Sequence, residues 1–103
     1  MAYRRNLIYN CRVIFEWDEN KAKANLLKHK ISFEEAATVF KDMFSITIAD
    51  HSIEENRFVD IGMSDKNHLL VVSYTERKDR IRLITARKAT SAERKKYEEE
   101  RNY

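Results

Sequence analysis

Arg80, Arg82 and Arg87 stand close together in "RIRLITARK" (80–88), a run whose other large side chains, Ile81, Leu83 and Ile84, belong in a core. A guanidinium is permanently charged and grips phosphate oxygens through two parallel N–H bonds, so three in one strand suit an anionic partner. The surrounding charge points the same way. From Arg77 to Lys96 nine bases are opposed only by Asp79 and Glu93. With His, Lys, Glu and Tyr side chains nearby, this inventory suffices to cleave RNA without a metal. The substrate brings its own nucleophile, the 2′-hydroxyl. The protein must accept its proton, stabilise charge on the phosphoryl oxygens and help the 5′-oxygen leave. Residue by residue, plainer readings stand beside this one. Arg80 and Arg82 would equally solvate an open sheet face, and Lys21 and Lys28 would form a solvated helix stripe. His29 would be a half-buried, hydrogen-bonded helix residue. Glu76 would belong to a hairpin tip.

Other chemistries find little support. Gly62 is the only glycine, so no phosphate-cradling loop of the Walker or dinucleotide type can form. His29, His51 and His68 are not at metal-ligand spacing, and the lone Cys11 pairs with none of them. Two Glu-x-Lys triplets, 19–21 and 93–95, fall in predicted helices with no preceding strand aspartate. No metal or cofactor is expected. A single cysteine also excludes an internal disulfide, which makes a reducing cytoplasm the natural compartment.

The bulk numbers fit one soluble α+β domain over 1–103. Hydrophobic residues make up 43% and charged residues 36%, the balance of a chain with a core of its own rather than of a disordered one. Net charge is only +3, so the placement of the bases says more than their sum. No apolar run reaches membrane-spanning length, and polar residues interrupt "MAYRRNLIYNCRVIF" too early for a signal peptide.

Hydrophobic periodicity then supplies the elements. "RVIFEW" (12–17) reads as a strand, and Asp18 caps a helix over "ENKAKANLLKH" whose buried side takes Ala22 and Leu26, with Asn25 and His29 alongside. In "ISFEEAATVF", Ser32 and Glu35 form a capping-box pattern, and Phe33, Ala36, Ala37 and Phe40 share one helical face. Strands follow at 44–50, 57–63, 68–76 and 80–86, the third apolar on both parities and therefore central. Thr90 and Glu93 open a last helix over 91–102 that is polar almost all round except at Tyr97. The order predicts an antiparallel sheet with two N-terminal helices on one face and a C-terminal helix. Arg80 and Arg82 then lie on the uncovered face, while strict alternation sends Arg87 to the covered one unless the strand bends.

Four pieces in this order, "FEWDENKAKANLLKHKISFEEAATVF" (15–40), "ENRFVDIG" (55–62), "LLVVSYTER" (69–77) and "IRLITARKATSAERKKYEE" (81–99), resemble the BrnT toxins. These are the ribonuclease halves of type II toxin–antitoxin pairs, with a RelE-like fold. The resemblance implies a toxin that cleaves RNA and inhibits translation. It also implies a BrnA-like antitoxin partner, through which alone the pair reaches operator DNA. Carried over by position, the recurrent polar residues are Asp18, Lys21, Asn25, Lys28, His29, Arg57, Arg82, Arg87, Glu93 and Tyr97. In two places the chain departs from the pattern. Lys30 stands where the family has glycine, and a left-handed lysine there costs on the order of 1 kcal/mol unless the turn changes form. The segment 1–12 precedes the usual start, either as an extra arm or as an extended reading frame.

Together these readings assign a metal-independent endoribonuclease. Arg57, Arg82 and Arg87 bind the scissile phosphate, and His29 serves as acid or base with Glu76 as the alternative base. Lys21, Lys28 and Arg80 bind the RNA backbone. From a different class comes a non-enzymatic nucleic-acid-binding regulator or corepressor, which would hold phosphates without cutting them.

Overall fold

A computed structural model describes residues 13–49 and 56–101; the expected N-terminal arm, Cys11, His51 and residues 102–103 lie outside that range. The elements in chain order are β1 (Ile14–Glu16), α1 (Glu19–His29), α2 (Phe33–Thr38) with a 3-10 turn (Val39–Lys41), β2 (Ile46–Ala49), β3 (Arg57–Met63), β4 (Leu69–Arg77), β5 (Arg80–Lys88) and α3 (Ser91–Arg101). Among the described residues the strands form one sheet in the order β1-β5-β4-β3-β2. The sheet is mixed rather than antiparallel, because β1 pairs parallel to β5. β1 and β2 occupy opposite edges, so the chain between them has to cross the sheet. A crossover of this kind permits a parallel pair, and here α1 and α2 supply it.

The crossing covers one face. Ile31, Phe33, Ala36, Val39 and Phe40 pack there against Leu70, Val72, Tyr74, Ile81, Leu83 and Ala86, all buried. Phe40 meets Tyr74 edge-on at 4.9 Å, a preferred aromatic geometry. On the second face a smaller cluster joins Ile61, Leu69 and Val71 to Tyr97 of α3. That face is therefore partly roofed by α3, where the sequence suggested an uncovered surface.

Each helix start follows its cap. The Asp18 carboxylate accepts from the Lys21 N–H at 3.1 Å. Ser32 accepts from the Glu35 N–H at 3.0 Å, but the return half of the expected capping box is missing. The Glu35 carboxylate instead accepts from the Ser64 hydroxyl at 2.6 Å and pairs with His68 Nδ1 at 2.7 Å, tying α2 to the β3–β4 turn. Burial pushes this carboxyl up, yet the bonds from Ser64 and His68, with the His68 and Lys66 charges, outweigh it and hold the group below its ordinary value.

At the other end of α1, Lys30 adopts φ 64°, ψ 25°. The left-handed turn thus keeps its form without glycine. The Lys30 N–H bonds the Leu26 carbonyl and Nζ reaches the Leu27 carbonyl at 3.3 Å, so two last-turn carbonyls are satisfied. Gly62 has the opposite reason for being glycine. A Cβ there would meet Ser45 Cβ and Val39 Cγ1, each at 2.8 Å, where the segment after α2 crosses β3.

One expectation for α1 fails. Leu26 is 49% exposed, and Asn25 is the buried residue of this helix. β1 ends at Glu16, opposite Arg82, so β5 beyond that point lacks an outer neighbour. Asn25 takes its place: its Oδ1 accepts from the Ala86 N–H, and its Nδ2 donates to the Ala86 and Ile31 carbonyls at 2.9 and 3.0 Å. One side chain thereby pairs an edge residue as a strand would.

Candidate functional site

A bulge decides where the arginines go. Ser73 pairs with Thr85 and Tyr74 with Leu83, so Ile84 has no partner across the ladder. The extra residue reverses the alternation. Before it, Ile81 and Leu83 face the helices; after it, Ala86 does. Arg87 therefore joins Arg82 on the second face, against the strict-alternation expectation.

Cross-strand register arranges that face in rows. One row runs Glu16, Arg82, Thr75, Arg57. The next runs Thr85, Ser73, Val59, Ile48, and the third Arg87, Val71, Ile61, Ile46. At about 3.3 Å per residue, the four steps from Thr75 to Val71 set the outer rows roughly 13 Å apart. Between them lies a floor of small hydroxyls and apolar side chains. Over it opens a cavity of about 480 Å³ whose walls include Arg87, Glu93 and Lys96. Its size falls within the range of small-ligand sites.

The arginines are not idle. Arg87 Nη1 and Nη2 each donate to a Glu93 oxygen at 2.9 Å, a bidentate pair, and Nη1 also reaches the Lys88 carbonyl at 3.3 Å. That leaves Nε–H and one Nη2 hydrogen available. Glu93 also accepts from the Thr90 N–H at 2.8 Å while Thr90 accepts from the Glu93 N–H at 3.2 Å, so this capping box is complete. One carboxylate thus starts α3 and fixes the Arg87 fork. Arg80 and Arg82 share Glu16 at 3.3 and 3.4 Å, and Arg80 lies 3.9 Å from Asp79. These are longer, more exposed pairs and hold their arginines weakly.

The bond from Arg87, set against the cost of burial and helped by Thr90 and the Arg87 charge, holds the Glu93 carboxyl down at about 2. A depressed folded value stabilises fully above the unfolded pKa near 4.5, and that contribution is lost as pH falls towards 2. Glu93→Gln is therefore expected to flatten the acid limb of a melting-temperature curve between about pH 4.5 and 2. An unchanged limb would show that the pair does not couple to folding.

The remaining predicted residues scatter. Arg57 opens β3 in register with Thr75, on the Arg82 row. Arg80 lies one row further out, opposite Arg77. Lys21 and Lys28 are exposed on α1. His29 ends α1 half-buried, one turn beyond Asn25, which grips the backbone next to Arg87. Glu76 pairs with Ile81 and alternates onto the helix-covered face, with the sheet between it and the arginine rows. Tyr97 is a packing anchor, buried and donating to Asp42 Oδ2 at 2.6 Å; burial and that carboxylate push its hydroxyl pKa well up. Asp42 also accepts the Met63 and Phe44 N–H groups, so one carboxylate ties α3 to β3.

Sequence reasoning missed Lys96, Ser73 and Thr85. Lys96 is hidden among the many charges of α3, and the two hydroxyls become neighbours only through the register past the bulge. Among the described residues, no three His, Cys, Asp or Glu side chains are grouped to hold a metal ion, and no helix is long and apolar enough to cross a membrane.

Comparison with known proteins agrees with this architecture. No curated protein matches the chain. The crystal structure of the Brucella abortus ribonuclease toxin BrnT superposes with a TM-score of 0.63 at 18% identity, covering 77% of this chain and 99% of that one. At that identity the likeness speaks for the fold. The sequence model of a family described as "Ribonuclease toxin, BrnT, of type II toxin-antitoxin system" matches residues 17–93, well over half of the chain. A mixed sheet with an arginine-flanked trough on one face thus comes with a family assignment: the chain belongs to the BrnT ribonuclease toxins of type II toxin–antitoxin systems.

Proposed function

We propose that this toxin is a metal-independent endoribonuclease of the cytoplasm, RelE-like in fold, that inhibits translation by cutting RNA in the trough between the Arg82 and Arg87 rows. The observation that carries the reading is that Arg57, Arg82 and Arg87 share one sheet face, in two rows, with Arg87 brought there by the bulge at Ile84. Arg57 and Arg82 hold one end of the reacting phosphodiester segment and Arg87 the other, over the Ser73–Thr85 floor. Fixed guanidinium groups stabilise the charge that grows on the phosphoryl oxygens. The 2′-hydroxyl is the nucleophile, so no metal-bound water is needed. His29, one helical turn from the Asn25 grip beside Arg87, is the residue we assign to proton transfer. Glu76, on the face that α1 and α2 cover, is the alternative base. Lys21, Lys28 and Arg80 steer the RNA backbone from outside the trough. A BrnA-like antitoxin neutralises the toxin, and operator DNA is bound only through that complex.

The decisive experiment incubates nuclease-free purified protein with end-labelled RNA in EDTA. Fragments ending in 2′,3′-cyclic phosphate are expected. A mobility shift without fragments would replace this reading with the non-enzymatic regulator, for which the carboxylate-paired arginines Arg80, Arg82 and Arg87 would serve as phosphate contacts alone.

A further inference from the structure

The cavity beside Arg87 has two cationic walls with different electrostatic standing. Arg87 is neutralised in place by both oxygens of Glu93. Lys96 follows Glu93 by three positions on α3, so both side chains face the same side of the helix. It lines the cavity, yet no carboxylate pairs with it among the described residues. Below it, Ser73 and Thr85 are direct cross-strand neighbours on the floor. A lysine on the wall, two hydroxyl residues on the floor and a carboxylate-paired arginine beside them suit one oxygen-bearing anion bound through a single ammonium. Lys95 offers an internal comparison. It has the same charge on the same helix, but is rotated about 100° away and does not line the cavity.

We propose that Lys96 adds a second positive charge to this cavity, one without a carboxylate partner, and contacts an RNA phosphate seated over Ser73 and Thr85. This rests on the ribonuclease reading above and deepens it. α3 becomes part of the RNA site, and the Arg87–Glu93 pair also holds α3 over it while the Arg87 N–H groups outside the pair stay available to the phosphodiester. The Lys96 contact is to phosphate, so it adds affinity without base preference.

The test uses the full chain and a fluorescent 2′-O-methyl RNA strand, which binds but lacks the nucleophile. Anisotropy titrations at several salt concentrations compare wild type, Lys96→Gln, Lys96→Arg and Lys95→Gln. Lysine and glutamine have nearly equal helix propensity, so the helix itself is unperturbed. Lys96→Gln is expected to weaken binding about tenfold and to lower the slope of log K against log salt by about 0.7, the loss of one single-strand phosphate contact. Lys96→Arg should restore both quantities, and Lys95→Gln should stay within about twofold of wild type. Equal, small effects of Lys96→Gln and Lys95→Gln would overturn the inference while leaving the ribonuclease reading intact, provided wild-type protein cuts unmodified RNA and Arg82→Ala does not. A wild type that neither binds nor cuts RNA would overturn both.

Discussion

Arg82→Ala is expected to lower RNA cleavage by a factor of about 100 to 1,000, the usual effect of removing a donor that stabilises developing charge. Growth arrest on expression should disappear with it. The fold should survive, because the ion pair lost is a weak one: Arg82 is 37% exposed and lies 3.4 Å from Glu16. Pairs of this kind contribute about 0–1 kcal/mol, so the melting temperature should stay within a few degrees. Arg82→Lys should recover only part of the activity, since an ammonium offers charge without the planar fork. The neighbouring Arg87→Ala is a less clean experiment. It strips Glu93 of its bidentate partner and loosens the start of α3, so lost activity there would mix chemistry with folding. A toxic, fully active Arg82→Ala protein would remove the Arg57–Arg82 row from the mechanism.

The largest effect on stability is expected at Asn25. Its side chain satisfies the N–H and C=O of Ala86 and the C=O of Ile31, all buried. Asn25→Ala strands three backbone groups at once and leaves a small void. With each unsatisfied buried group costing about 1–3 kcal/mol and partial relaxation softening the sum, a loss of roughly 3–5 kcal/mol is expected. Measured against a typical total of about 5–15 kcal/mol, that brings the protein close to unfolding at growth temperature. Asn25→Asp should be no rescue, because it keeps the acceptor for Ala86 N–H but turns a carboxylate against two carbonyl oxygens. Urea denaturation of both variants reads the difference directly. A loss below about 1 kcal/mol for Asn25→Ala would mean that water replaces the amide and that the strand-like pairing is not what holds α1 to β5.

Asn25 also shows how resemblance and physics divide the work. Its position matches a recurrent polar residue of the family, but the helix pattern alone favoured Leu26 for burial beside Ala22. Leu26 is exposed all the same, because periodicity reports only which side chains would be content in a core. It does not report which backbone groups an unfinished sheet edge leaves unpaired. Glu35 is a similar case. Ser32 and Glu35 spell a capping box, and only contact with the β3–β4 turn diverts the carboxylate to Ser64 and His68.

Local signals settled much of this protein. Asp18, Ser32 and Thr90 marked three helix starts, because an orphan N–H needs an acceptor within a few residues whatever the rest of the chain does. The two-sided apolar run at 69–74 marked the central strand, because only a strand covered on both faces can carry it. The resemblance of four ordered segments pointed to the family. Tertiary structure decided what depends on partners distant in sequence. The parallel pairing of β1 with β5 follows from a crossover, and the roofing of the second face by α3 follows from Tyr97 meeting Asp42. The bulge at Ile84 is invisible in β5 itself, since it exists only in the register with β4. By adding one residue to the count it moves Arg87 through the plane of the sheet and makes a trough out of arginines that alternation alone would have kept apart.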